Sequence, residues 1–324
     1  MVMDYLGENL ESLRLQMPEK KFSLKTVIMI ADQLIRRIEY LHSKDFIHQD
    51  IKPENFVIGR DKKDIVVYII DLGLATPYMD GSKSPPTHIP WSKGKGLVGT
   101  MRYCSLHAHL EEQQSRRDDV EALGYVLIYL AKGSLPWQGN HNMQGKEKFQ
   151  WVHEMKRDTP LSKLCEGLPE EFQRYMDIAR NLRYDETPPY FELRRLFRSI
   201  FVRMEFELDF VFDWSNRHRK QDSRLEDRDG REKSISDTMI PQVGVGEHLN
   251  QDISDVNEPQ QIVSESIFEE QQQKYANQYH RLLQEQRTLI QNAKRVEPEL
   301  PPQPSFIGQD QNIVEESKGG CVLF

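Results

Sequence analysis

Two short segments carry side chains that could together manage a phosphate group. The first is His48-Gln49-Asp50-Ile51-Lys52-Pro53-Glu54-Asn55, and the second is Asp71-Leu72-Gly73. Asp50, Asn55 and Asp71 supply oxygen ligands or a base, and Lys52 sets a cation among them. Magnesium takes oxygen ligands and commonly keeps phosphate oxygens in its shell. Phosphoryl transfer requires a carboxylate that receives and orients the nucleophile's hydroxyl, metal ligands beside the phosphates, and a cation on the transferred group. This set of residue types meets that demand.

The flanking sequence supplies elements to position the set. Leu24, Val27, Ile28, Ala31, Leu34, Ile35, Ile38 and Leu41 recur at helical spacing, which predicts a long helix with one buried face over 24–41. The β-branched run 65–70, IVVYII, predicts a strand ending next to Asp71. Residues 119–131 are apolar almost all round and read as a central core helix. Residues 74–105, rich in Gly, Pro, Ser and Lys, read as a long surface loop of the kind that is usually functional. The expected fold is mainly α with short β-strands.

Composition divides the 324 residues. The net charge is −8, mean hydropathy is −0.68, and all four tryptophans lie at or before Trp214. A mixed-charge run covers 217–233, and the 14 Asp/Glu and 6 Lys/Arg after it account for the whole net charge, so residues 1–233 are formally neutral. These features predict a folded unit over 1–215 and a charged, polar linker over 216–264. A helix or short coiled coil follows over 265–296, then a Pro-rich tail over 297–324 without a packed core. Within 265–295, Phe268, Tyr275, Leu282 and Leu289 repeat every seven residues. Weak self-association and a solitary amphipathic helix both fit that pattern. The acidic balance argues against a nucleic-acid partner. Three distant cysteines form neither a disulfide framework nor a metal motif. No apolar run reaches the roughly 20 residues of a spanning helix, and Met1-Val2-Met3-Asp4-Tyr5 carries no secretory signal. A cytoplasmic location is expected, with the nucleus left open.

The spacing HxDxKxxN followed by DxG resembles the catalytic loop and metal-binding motif of protein kinases. With LVGTMRYCSLHAHL (97–110) and SRRDDVEALGYVLIYLAKGSLPWQG (115–139), the chain from Met1 to about Trp214 resembles the casein kinase 1 family of serine/threonine kinases. The resemblance implies a kinase C-terminal lobe using ATP and Mg2+ on acidic or already phosphorylated protein substrates. It implies that Asp50 orients the substrate hydroxyl, Lys52 contacts the γ-phosphate and Thr100 supports Asp50. It assigns magnesium to Asn55 and Asp71, and to Asp119 the bracing of the catalytic loop through its backbone. His48 matches a core spine position rather than a catalyst. Met3 matches the residue guarding the back of the adenine pocket, Asp4 and Leu6 match the hinge that bonds adenine through its backbone, and Val57 and Ile70 would floor and back that pocket. Arg102, Gly139 and Lys148 match an anion site for the substrate, an ordinary solvated lysine being an equal reading of Lys148.

Some positions depart from the family. Gln49 replaces the Arg of the His-Arg-Asp triplet and Thr76 another basic residue, which makes a second anion site doubtful. Leu72 replaces the Phe of Asp-Phe-Gly and is expected to fill the same apolar position. The hinge falls at residues 3–7, so the Gly-rich loop and strand lysine that belong upstream of it are missing from the 324 residues. The chain as written is therefore expected to be nearly inactive: either a shortened version of a longer enzyme, or a non-catalytic interaction module. Cys321-Val322-Leu323-Phe324 fits a C-a-a-X prenylation box. One lipid on Cys321 would give weak, reversible membrane association.

Overall fold

The structure is a computed structural model that describes residues 5–60, 63–139 and 142–215, together with Asn277, Arg281, Gln284 and Thr288, which are helical. The rest of the expected 265–296 helix, the linker and the C-a-a-X box lie outside the described residues. So do Met3 and Asp4.

Helix α1 (Leu10–Gln16) is capped by Asn9, whose side chain accepts from the Ser12 amide. Helix α2 (Leu24–His42) starts at Ser23, which caps the Thr26 amide. Its buried stripe includes Val27, Ile28, Leu34, Ile35 and Ile38 and packs on α4 (Arg116–Lys132) and α8 (Tyr190–Arg203). Helix α4 is buried nearly all round, as its sequence predicts. It begins where the Asp118 carboxylate accepts from the Ser115 amide at 2.7 Å and stops at Gly133, whose φ of 84° is left-handed. Helix α7 (Glu170–Asn181) crosses α4 at Gly124, where a Cβ would lie 2.3 Å from Met176 Sδ. The buried Asp32 carboxylate ties α2 to α8 by accepting from Arg194 at 3.0 Å and Arg198 at 2.8 Å. Burial alone would raise its pKa, but Arg198, Arg194 and Arg36 outweigh that and hold it below the usual range.

The strands are short. β1 (Phe46–Ile47) pairs antiparallel with β4 (Thr76–Pro77). β2 (Phe56–Ile58) pairs with β3 (Val67–Ile69) in the register Phe56↔Ile69, Val57↔Tyr68 and Ile58↔Val67. The predicted strand over 65–70 is therefore shorter than expected, because the Ile65 carbonyl accepts from Gln33 Nε2 on α2 instead of joining a ladder. The stretch 74–105 is not all loop: besides β4 it holds β5 (Met79–Asp80), paired with β6 (Thr87–His88). It leads into α3 (Leu106–His109), and α5 (Gly145–Asp158) and α6 (Leu161–Leu164) complete the helices of this block. Trp214 is 1% exposed, stacked on Phe212 and edge-on to Phe22. Asp213 accepts from the Ser23 amide at 2.6 Å, fastening this segment to the start of α2.

Candidate active site

The loop after β1 is anchored by a carboxylate from α4. Asp119, 2% exposed, accepts from the His48 amide at 2.7 Å and the Gln49 amide at 2.9 Å. Its Oδ2 also meets His42 Nε2 at 2.9 Å, and His42 Nδ1 meets the Tyr190 hydroxyl at 2.6 Å. Burial opposes ionisation of Asp119, yet the His42 hydrogen bond and the charges and amide around it keep its pKa below the usual carboxylate range. Gln49 turns the chain at a φ of 67°. Gly99 fits against that turn: its φ is 97°, and a Cβ there would lie 2.2 Å from the Gln49 carbonyl oxygen.

That fit brings Thr100 to Asp50. Asp50, 7% exposed, accepts from Thr100 Oγ1 at 2.6 Å on one oxygen and from Lys52 Nζ at 2.5 Å on the other. Burial raises its pKa, but the bonds from Lys52 and Thr100 more than offset this, so Asp50 is a carboxylate at neutral pH. Asn55 spends its amide nitrogen on the Asp50 carbonyl at 2.9 Å, which leaves its Oδ1 as a possible metal ligand. Asp71 follows β3 at a left-handed φ of 61°, caps the Gly73 amide at 3.4 Å and is exposed. The Ile70 amide donates to the Asn55 carbonyl at 2.9 Å, linking the Asp71 segment to the Asn55 segment. Asn55 and Asp71 thus present oxygen donors of the kind magnesium takes.

His48 is fully buried. Its Nδ1 accepts from the Asp50 amide at 3.3 Å, so Nε2 carries the proton and donates to the Ile70 carbonyl at 3.1 Å. With both nitrogens spent on the backbone, the ring joins the two segments and has none left for a substrate. Leu6 is half-buried, Val57 buried and Ile70 half-buried. The segment at 7–8 pairs with β2 through the Gly7 amide on the Ile58 carbonyl and the Ile58 amide on the Glu8 carbonyl. Leu72 corrects the expectation that it fills an apolar position. It is 55% exposed, with Leu74 at 45%, because no described residue covers the face they occupy. Gln49 and Thr76 meet in a neutral hydrogen bond of 3.2 Å, and Lys95 is exposed.

Arg102 is half-buried, donates to the Tyr103 hydroxyl at 3.3 Å and stacks near the Tyr103 and Tyr129 rings. Trp137 Nε1 donates to the Arg102 carbonyl at 2.8 Å, which draws the segment carrying Gly139 towards it. Lys148 lies near the start of α5, and no hydrogen bond among the described residues joins it to Arg102 or Gly139. Sequence reasoning missed Lys156. It is fully buried and donates to the Met101 and Cys104 carbonyls at 2.8 and 2.6 Å, with its ammonium over the Tyr125 and Trp137 rings. Its position four residues after Val152, on the buried side of α5, is the only signal the sequence carries. The family model described as protein kinase domain matches residues 1–182.

Proposed function

The chain belongs to the protein kinase domain family, and we propose that it is the catalytic lobe of a casein kinase 1-type serine/threonine kinase. The observation that carries this reading is Asp50, ionised and held between Thr100 Oγ1 and Lys52 Nζ. Asp50 orients the substrate serine or threonine hydroxyl and receives its proton as the oxygen attacks the γ-phosphate of ATP, whose bond to the β–γ bridging oxygen breaks to release ADP. Thr100 fixes the carboxylate's rotation, and Lys52 moves from Asp50 onto the transferred phosphoryl group. Asn55 Oδ1 and the Asp71 carboxylate would hold magnesium. Bound magnesium neutralises charge on the phosphate oxygens. Leu6, Val57 and Ile70 would face the adenine, the role the resemblance also gives to Met3 and Asp4 outside the described residues.

In this reading the substrate is an acidic or primed protein, recognised by Arg102, the Gly139 amide and Lys148. Leu72 and Leu74, next to Asp71, are exposed apolar surface of the kind a packing partner covers. The same surface fits a second reading, a non-catalytic module that binds a partner there. Prenylation of Cys321 would tether either form weakly to membranes. The test compares phosphorylation of primed and unprimed serine peptides by the 324-residue chain and by the protein from its full coding sequence. The kinase reading predicts magnesium-dependent activity in the longer protein, preference for the primed peptide, and little activity in the shorter chain. Absence of transfer by the longer protein supports the binding module instead.

A further inference from the structure

The turn that carries Arg102 is held from behind by two buried side chains. Lys156, fully buried on α5, donates to the Met101 carbonyl at 2.8 Å and to the Cys104 carbonyl at 2.6 Å. Trp137, 3% exposed, donates from Nε1 to the Arg102 carbonyl at 2.8 Å. The two side chains also meet, with Lys156 Nζ 5.3 Å from the centre of the Trp137 ring. On the other side of the turn, the Thr100 carbonyl accepts from the Tyr103 and Cys104 amides at 2.9 and 3.0 Å. The Thr100 side chain is bonded to Asp50, so one closed turn ties the place of Arg102 to that of Asp50.

Packing alone does not account for a lysine at this position. Taking an ammonium out of water is costly, and an apolar side chain of similar length carries no such cost. What lysine adds is a pair of directed N–H bonds to the carbonyls on either side of Arg102 and Tyr103. The Arg102 guanidinium spends one N–H on the Tyr103 hydroxyl at 3.3 Å and makes no other hydrogen bond among the described residues. Glu54 and Glu11 act on it only through space. The same pair of buried side chains is attached to the other two residues of the candidate anion site. Gly139 follows Trp137 by two residues and turns at a left-handed φ of 93°, and Lys148 shares α5 with Lys156.

We propose that Lys156 and Trp137 are positioning residues that set the preference for a phosphorylated protein substrate, by holding Arg102 at a fixed place relative to Asp50. This rests on the reading of Arg102 as an anion-binding side chain. Pairing between a guanidinium and a phosphate is directional, so the phosphate gains from Arg102 only while the turn stays in place. With the bracket removed, the Thr100 bonds still close the turn, but the Arg102 backbone is free to shift. The peptide then still binds and loses only what its phosphate contributed.

The test measures binding of a labelled serine peptide to the 324-residue chain by fluorescence anisotropy, with and without a phosphoserine on the N-terminal side of the target, and needs no catalytic activity. In the wild type the phosphate should tighten binding by about tenfold or more, and Arg102→Ala should abolish that gain. Lys156→Met and Trp137→Phe should each cut the gain at least about threefold while binding the unphosphorylated peptide as the wild type does. Val152→Ala truncates a buried side chain of the same helix that bonds to no carbonyl, and it should leave the gain intact. Circular dichroism checks folding, and Trp137→Phe, which keeps most of the ring packing, decides the matter if Lys156→Met does not fold. A wild-type gain in either folded variant, or an equal loss in Val152→Ala, overturns the proposal and leaves the anion site standing. No gain in the wild type, or a gain kept by Arg102→Ala, overturns the anion-site reading and the proposal with it.

Discussion

Replacing Asp119 with Asn isolates the tie that shapes the catalytic loop. The carboxylate serves three donors: His48 N–H and His42 Nε2 on Oδ2, and Gln49 N–H on Oδ1. A carboxamide has one oxygen, and it turns that oxygen towards the side with two donors. Its NH2 then faces the Gln49 amide, leaving two buried donors opposed. At about 1–3 kcal/mol for each unsatisfied group, the expected loss is roughly 2–4 kcal/mol, a large share of a domain's 5–15 kcal/mol. The pH dependence has a definite sign. The folded pKa of Asp119 is depressed, so its contribution is fully present above the unfolded carboxylate value and is lost as pH falls through the folded one. The gap between wild type and Asp119→Asn should therefore be widest near neutral pH and narrow on acidification below about 4. Urea unfolding at several pH values measures the gap, and hydrogen exchange at His48 and Gln49 locates it. A loss below about 1 kcal/mol, well short of the expected cost of unpaired buried donors, with unchanged exchange at Gln49 would refute this account of the loop.

Three further outcomes are expected. Thr100→Val removes one bond to a carboxylate and should lower kcat of the active enzyme by about 10- to 100-fold with little change in the KM for ATP, as steady-state kinetics would show. Gly99→Ala forces a Cβ against the Gln49 carbonyl at a left-handed φ and should cost at least about 2 kcal/mol in urea unfolding. Burial depresses the Lys156 pKa, against the pull of Cys104 and Glu121, so the unfolded chain binds the extra proton at alkaline pH. The stability of the wild type relative to Lys156→Met should then rise with pH towards 10.5, measured by denaturant titration.

How much was legible depended on where the information lay. Helices α2 and α4 could be read because their apolar periodicity is local and their ends are marked by Ser23, Ser115 and Gly133. Asp50, Lys52, Asn55 and Asp71 could be read because few chemistries need those types so close together, and family likeness added Thr100 and Asp119. The bond from His42 to Asp119 spans 77 positions in the sequence, and nothing in a helix-end histidine announces it. Lys156 was hidden because a lysine on a helix is ordinarily solvated, and its burial depends on carbonyls from the Met101–Cys104 turn. Leu72 was misread because an apolar side chain does not specify what covers it. The strand at 65–70 came out short because Gln33, on a different element, competes for the Ile65 carbonyl.

The central claim is that Asp50 is the group that receives the substrate hydroxyl. The direct measurement is single-turnover transfer from ATP to a primed serine peptide by the protein from its full coding sequence, with Asp50→Asn alongside. Loss of transfer by several hundredfold or more at unchanged nucleotide affinity is the predicted result. Transfer by Asp50→Asn within about tenfold of wild type, below what general-base catalysis contributes, would contradict it.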